Sequence, residues 1–357
     1  MRNNNVTKNL FFGIGVFLVL VIYSFLTYES FLDIKNNQSS IFDIVNSDKM
    51  NNIQTANDDS FSGVKLIAVG DIMLSRAVNA QMIKYGDDYP FLKMAEYLKD
   101  GNIVFGNLES PIAYGSDIIL EGVVFRARPG VEKSIKNAGF SVLSVANNHM
   151  GNQGQDGVEY TINALKSVGI KTIGAGRGDE ASATIIEKNG LKFAFLAYTD
   201  GSIIPTSYEA KDDNYGVVYM DENRLAGDIA KAKKEADFVI VSMHAGIEYT
   251  YRPNNSQINF AHKAIDNGAD IVIGHHPHQI QDVESYKGKY IFYSLGNFVF
   301  DQEWSIETKQ GLFAEIYFNK DGVFDYNLTP VLIKNYAQPD IADEAMSVNV
   351  LKNIKLP

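Results

Sequence analysis

The stretch Asp270-Ile271-Val272-Ile273-Gly274-His275-His276-Pro277-His278 sets the reading of this chain. Its apolar half reads as a short buried strand, so its polar half falls in the loop at the strand's carboxyl end, where α/β sheets place ligand chemistry. Three of the six histidines fall between positions 275 and 278. An extended loop would alternate their faces, but a tight turn containing proline can aim His276 and His278 at one ion. The plain alternative is a surface loop that happens to be rich in histidine. Other strand exits argue against it, because they carry ligand-type residues of their own.

Working outward, Val64–Gly70 reads as a strand that ends in Gly70-Asp71, and Ile103–Leu108 as one that ends in Glu109. Val142–Ala146 leads into Asn147-Asn148-His149, and Asp237–Met243 leads into His244. Helical periodicity separates them around Arg76–Lys84, Leu92–Lys99, Val131–Ala138, Gly157–Ser167, Glu222–Glu235 and Gln257–Asn267. Ala183–Glu187 and Leu191–Tyr198 read as an antiparallel pair, and Lys289–Ser294 and Gly311–Phe318 close a β-rich end. Repeated β-loop-α order with polar strand ends means a layered α/β domain. The exits gather Asp71, Glu109, Asn148, His149, His244, His275, His276 and His278. Oxygen and imidazole donors on several loops are the expected pattern of a hydrolytic centre with one or two metal ions.

Composition narrows the chemistry. The chain has 357 residues, a formal net charge of -11 and no cysteine. Nucleic acid is an improbable partner for so acidic a protein, since its binding leans on Lys and Arg at phosphates. Without cysteine there is neither a disulfide framework nor a zinc-thiolate site. A divalent ion would rest on His, Asn and carboxylates, which suits Mn, Fe or catalytic Zn. Residues 1–9 carry Arg2 and Lys8 and no acid, and Leu10–Tyr28 has no charge at all. A helix of about 19 residues rises close to the roughly 30 Å of a bilayer core. We therefore expect a single-pass anchor at 10–28, with a cytoplasmic N-terminus and an extracellular main domain at the cell membrane. A cleaved signal peptide is the competing reading, but Ser24–Phe31 is too bulky for a small-x-small site. Residues 29–62 read as a polar linker, 63–335 as the domain and 336–357 as a C-terminal tail.

Taken together, Gly70-Asp71-Ile-Met-Leu, Gly106-Asn-Leu-Glu-Ser-Pro111, Ala146-Asn-Asn-His149, Gly274-His-His-Pro-His278 and Tyr293-Ser-Leu-Gly-Asn-Phe298 resemble the CapA (PgsA) family of poly-γ-glutamate capsule synthesis proteins. More distantly, the blocks resemble the calcineurin-like metallophosphoesterases. The resemblance implies a four-layer α/β/β/α sandwich with its site at the strand ends, and a place in capsule synthesis or export beside a membrane synthase complex and an anionic polymer such as poly-γ-glutamate. It implies metal ligation by Asp71, Glu109, Asn148, His244, His276 and His278, with Glu109 in a bridging position and His149 acting with Asn148 on the leaving group. Whether His275 or His276 is the ligand is open from the residues alone; the family spacing favours His276. This sequence departs from the phosphoesterase pattern in two places. Met73 stands where that pattern has a histidine, and the bridging carboxylate is Glu109 in a Gly-Asn-x-Glu block. One metal position therefore lacks a ligand, and ordinary phosphatase activity is in doubt.

Three readings follow: a capsule component with a metal site, a cell-surface metal-dependent phosphoesterase, and a non-catalytic scaffold of a capsule synthase. Further residues bear on a substrate. Arg126 and Arg128, two apart, could hold phosphate or carboxylate or could be a solvated edge. Asn297 could support a ligand or simply turn the chain, and His275 is a further candidate for substrate contact. Gly151–Gly157 before a helix could receive an anion or only cap it. Glu248-Tyr249 could line the site or lie on the surface, and His262, within a helix, reads as structural.

Overall fold

The computed structural model describes residues 63–115, 119 and 121–357. The N-terminal expectations, a cytoplasmic 1–9, a membrane span at 10–28 and a linker over 29–62, lie outside the described residues. Among the described residues no helix is long and apolar enough to cross a membrane.

In chain order the elements begin with β1 (Val64–Ile72), α1 (Arg76–Tyr85), α2 (Ala95–Lys99), β2 (Ile103–Leu108), α3 (Val131–Ala138), β3 (Val142–Ser144), α4 (Gly154–Ser167) and β4 (Lys171–Ile173). The small pair β5 (Ala175–Gly176) and β8 (Gly216–Val217) brackets β6 (Thr184–Lys188) and β7 (Leu191–Thr199). Then come α5 (Glu222–Ala232), β9 (Phe238–His244), α6 (Asn255–Asp266), β10 (Ile271–His275), β11 (Val283–Tyr286), β12 (Lys289–Phe292) and β13 (Asn297–Val299). The chain closes with β14 (Gln310–Asn319), β15 (Gly322–Lys334), β16 (Gln338–Ile341) and α7 (Glu344–Asn353).

Two large sheets form. One runs β16-β15-β14-β1-β2-β3-β4, with β13 also paired to β1; the other runs β11-β12-β10-β9-β7-β6. Both have parallel centres, β1 to β4 in the first and β12, β10, β9 and β7 in the second. Their carboxyl ends therefore open at one edge of each sheet.

The period of two in each strand shows how the layers stack. Val64, Leu66 and Ala68 of β1 share one apolar cluster with Phe193 and Phe195 of β7, Ile240 of β9 and Ile273 of β10. The opposite face of β1, Ile67 and Val69, packs with Val78 and Met82 of α1, Ile135 of α3 and Leu165 of α4. On the far side, Val239 and Val241 of β9 pack with Leu225 and Ile229 of α5 and Phe260 and Ala264 of α6. Helices, sheet, sheet and helices thus succeed one another. Local signals agree: Asn254 and Gln257 cap α6 reciprocally, and Asp221 accepts from Arg224 N at the start of α5.

The C-terminal residues are not a tail. β15 runs antiparallel along nearly all of β14, β16 extends that edge, and Val350 and Ile354 enter the cluster between the sheets. The polar look of β15 has a simple cause, since most of its first half is only partly buried. One close approach is required at the strand ends. A Cβ on Gly70 would stand 2.0 Å from Gly296 O, so only glycine lets β1 lie against the turn before β13.

Candidate metal centre

Three acids and imidazoles meet where the parallel strands end. Asp71 leaves β1, Glu109 follows β2 and His244 ends β9; one ligand atom from each lies within 4.8 Å of the others, and all three are buried. Glu109 is the middle of the group. Its Oε1 is 3.6 Å from His278 Nε2, 3.8 Å from His149 Nε2 and 4.0 Å from His244 Nε2. These separations are too long for hydrogen bonds, and among the described residues both Glu109 oxygens lack any hydrogen-bond partner despite full burial. Two donors each about 2.1 Å from one ion lie roughly 3–4 Å apart, depending on the angle between them. The residues present therefore fit a metal ion.

Surrounding amides orient the imidazoles. His278 Nδ1 is 3.0 Å from Asn297 Oδ1, while Asn297 Nδ2 donates to Gln302 Oε1 and Thr308 O. The Asn297 oxygen is thus the acceptor, His278 carries its proton on Nδ1, and Nε2 faces Glu109 with a lone pair. His149 is set the same way. Asn152 Oδ1 accepts from Phe125 N at 2.7 Å and lies 3.0 Å from His149 Nδ1, so that nitrogen must donate. Asn107 Nδ2 donates to Asp71 Oδ1 at 2.8 Å and lies 3.3 Å from His244 Nδ1, and Asn148 Oδ1 meets His244 Nε2 at 2.9 Å.

Electrostatics follow from the burial. Desolvation, then the Asp71 and Glu248 carboxylates, push Glu109 well above the usual carboxylate range against the pull of Arg76. For Asp71 burial also acts upward, but the contact with His278 and the fields of His275 and His278 hold it below that range. Burial brings His149 down to about 4, and burial with the neighbouring His278 brings His276 down to about 3. His244 is depressed well below its ordinary value, by burial first and then by His276 and His275. His149, His244 and His276 are therefore neutral at pH 7, the form that ligates a metal.

Backbone strain marks the same loop. His276 and His278 have φ of 99° and 54°, a region that non-glycine residues rarely occupy and that costs of order 1–3 kcal/mol each. That turn brings both imidazoles toward the centre, while His276 N donates to Asp71 Oδ2 at 3.2 Å. His275 points elsewhere. It continues the face of Ile271 and Ile273, is fully buried, and meets Val69 O through Nε2 at 3.2 Å and the Phe105 ring edge-on. The substrate contact expected of it is not available there, because strand parity sends it beneath the centre.

Two other expected substrate contacts are also placed differently. Arg128 binds Asn79 through Nε and Asp87 through its terminal nitrogens, so it braces α1 rather than facing the centre. Asn297 stands behind His278 as its orienting acceptor. The Arg126 backbone N–H donates to Ser75 Oγ at 3.1 Å. Met73 is fully buried in the helix-side core, with Ser75 N 3.0 Å from its sulfur. His262, expected to be structural, pairs with Glu284 at 3.0 Å and stacks on Tyr286. Asn148 and His149 are the partly exposed members of the centre, which opens on their side.

Sequence reasoning did not single out Asn107, Asn152 or Arg76. Arg76 pairs with Asp301 and lies over the rings of Phe125 and Phe300, which back His149 and His278 in turn. Asn107 sits inside the Gly-Asn-x-Glu block, and period two places it with Glu109 on one face of β2. That signal was available.

With this geometry in view, residues 65–302 match the model of a family described as bacterial capsule synthesis protein PGA_cap. The chain belongs to that family. It is 36% identical over 276 residues to the capsule biosynthesis protein CapA of Bacillus anthracis, covering 74% of this chain and 66% of that one. It is 34% identical over 284 residues to the PGA biosynthesis protein CapA of Bacillus subtilis strain 168, covering 78% and 73%. Among solved structures it is similar to an NAD nucleotidase of Haemophilus influenzae, with a TM-score of 0.49, 11% identity and coverage of 83% and 64%. Within the PGA_cap match lie all the residues of the centre, from Asp71 to Asn297.

Proposed function

We propose that this chain is a membrane-anchored, extracellular component of poly-γ-glutamate capsule synthesis that acts through a divalent metal centre in a metallophosphoesterase-type sandwich. The observation that carries the metal centre is Glu109, buried with two unpartnered oxygens amid three imidazole Nε2 atoms. The capsule role rests on family membership and on the two Bacillus relatives named for it. The anchor rests on the uncharged run Leu10–Tyr28. A synthase complex in the same membrane is the partner this placement suits.

Asp71, Glu109, Asn148, His244, His276 and His278 would hold Mn, Fe or Zn, and the donor set of imidazole, amide and carboxylate suits each of them. When bound, such an ion polarises a phosphoryl or carbonyl oxygen and makes water a better nucleophile. The chain's own groups complete the chemistry. His149 offers a lone pair on Nε2, because Nδ1 donates to Asn152 and its pKa of about 4 keeps it neutral near pH 7. It is placed to accept a proton on the open side of the centre and to return it to a leaving group. Phe125, stacked on His149 at 3.9 Å, holds the ring plane and excludes water from one face.

The test is hydrolysis by the full-length protein in detergent, loaded with Mn²⁺, Fe²⁺ or Zn²⁺. The substrates would be γ-linked polyglutamate, a phosphodiester and a phosphomonoester, with Glu109→Gln as control. Metal-dependent shortening of the polymer, lost in the variant, supports the proposal. Turnover of a phosphoester alone would replace it with a surface phosphoesterase, and metal binding without turnover on any substrate would leave a scaffold.

A further inference from the structure

Beside His278 lies an exposed aromatic surface that the metal chemistry does not use. Tyr249 stacks over His278 with ring centroids 6.2 Å apart and meets Trp304 edge-to-face at 5.7 Å and 83°. His278 is buried, yet Tyr249 is 41% exposed and Trp304 62% exposed, and Ile247, Tyr251 and Ile306 on the same two loops are exposed as well. So much apolar surface beside a polar centre marks a contact site. A second observation is independent of exposure. Tyr249 has φ of 62°, which a bulky aromatic residue rarely adopts. Its N–H donates to Pro277 O at 2.8 Å and its hydroxyl is 3.3 Å from Gln302 Nε2, so the strained backbone holds the ring in one place.

Charge says what such a platform takes. The loops 247–252 and 301–309 carry four acids, Glu248, Asp301, Glu303 and Glu307, against Arg252 and Lys309. Both cations are engaged, Arg252 with Asp282 and Lys309 with Glu303 at 2.6 Å. Among the described residues of these two loops a carboxylate or phosphate finds no free cation. Two rings meeting edge-to-face form an open platform rather than a cage, so they do not enclose an ammonium group on several sides. Asp301 is held by Arg76 and Glu303 by Lys309. A neutral ring with one apolar face and a rim of hydroxyls therefore fits both features, its face on the aromatics and its hydroxyls donating to Glu248 and Glu307.

We infer that Tyr249 and Trp304 form a binding subsite for a neutral sugar ring next to the metal centre. The subsite goes beyond the capsule proposal and does not depend on it. A glycan held there would place its neighbouring group over His278.

Trp304 is the chain's single tryptophan, so its fluorescence reports on this surface alone. The full-length protein would be titrated with the neutral oligosaccharides chitotetraose and maltotetraose, and separately with choline, adenosine and a γ-linked glutamate oligomer. A saturable change with a neutral oligosaccharide, weakened roughly five- to tenfold by Tyr249→Ala, is expected. Tyr249→Phe should retain most of the binding. Glu109→Gln should leave it unchanged, which separates this subsite from the metal proposal. No response to either sugar, an undiminished response in Tyr249→Ala, or a response only to choline, adenosine or the glutamate oligomer would overturn the inference. Circular dichroism of each variant guards against misfolding. If Tyr249→Ala unfolds, Trp304→Ala, read by calorimetry, should weaken the sugar to the same degree, an undiminished affinity there overturning the inference.

Discussion

Replacing Glu109 by glutamine separates its two roles, buried acid and metal ligand. In the metal-free protein burial and the Asp71 and Glu248 carboxylates hold the Glu109 pKa well above its ordinary 4.5. The folded state therefore binds this proton over a pH range in which the unfolded chain has released it. Stability from this group is fully present below about pH 4.5 and is lost as pH rises toward the folded pKa, by up to about 1.4 kcal/mol per unit. Glutamine cannot ionise, so Glu109→Gln removes that slope. The metal-free variant should be the more stable of the two at pH 8 and close to wild type at pH 4.5. For a domain of this size each kcal/mol moves Tm by about 2 °C or slightly less. Metal reverses the order. An ion at about 100 times its Kd stabilises wild type by about 2.7 kcal/mol, and the variant should lose most of that gain. Because the bound ion displaces the Glu109 proton, wild-type affinity should also rise up to about tenfold per pH unit below the folded pKa. Chemical denaturation of chelator-treated protein from pH 4.5 to 8, with and without Mn²⁺, measures both effects. An unchanged pH slope together with full metal stabilisation in Glu109→Gln would refute the assignment of this carboxylate.

Other expectations concern its neighbours. Asn297→Ala frees His278 Nδ1 from its acceptor, and metal affinity measured by calorimetry should fall about 10–100-fold with the fold retained. His149, held to about 4, should show no ring-proton titration by NMR between pH 8 and 5 in the metal-free protein; a midpoint near 6.5 would contradict its burial and its role as proton acceptor. Gly70→Ala forces a Cβ to within 2.0 Å of Gly296 O, and denaturant unfolding should show a loss of at least about 3 kcal/mol or failure to fold. A loss under 1 kcal/mol would mean that the contact between β1 and the 295–296 turn gives way easily.

Much of the centre was legible because its residues sit where strands end. A run such as Ile271-Val272-Ile273 declares a buried strand, and a polar residue directly after it has one place to go. Asp71, Glu109, His244, His276 and His278 were readable on that ground. The C-terminal strand β16 and helix α7 were not, since β16 is a four-residue edge strand and α7 buries only Val350, so residues 336–357 resemble a polar tail. Arg128 shows a different limit. Nothing local says that its guanidinium will meet Asp87, 41 residues earlier, rather than a substrate.

Strand periodicity, the missing cysteines and the ordered polar blocks determined by themselves an α/β domain with an imidazole and carboxylate centre at its strand ends. Only the tertiary structure decided which nitrogen of each histidine faces that centre, because tautomers are set by amides far away in sequence. Asn297 reaches His278 because β13 pairs with β1 and puts Asn297 opposite Asp71, a register between strands more than 200 residues apart. The same packing sent His275 beneath the site and set the ring of Tyr249 over it. Side-chain period tells which residues share a face of one strand. Long-range pairing alone tells what that face will meet.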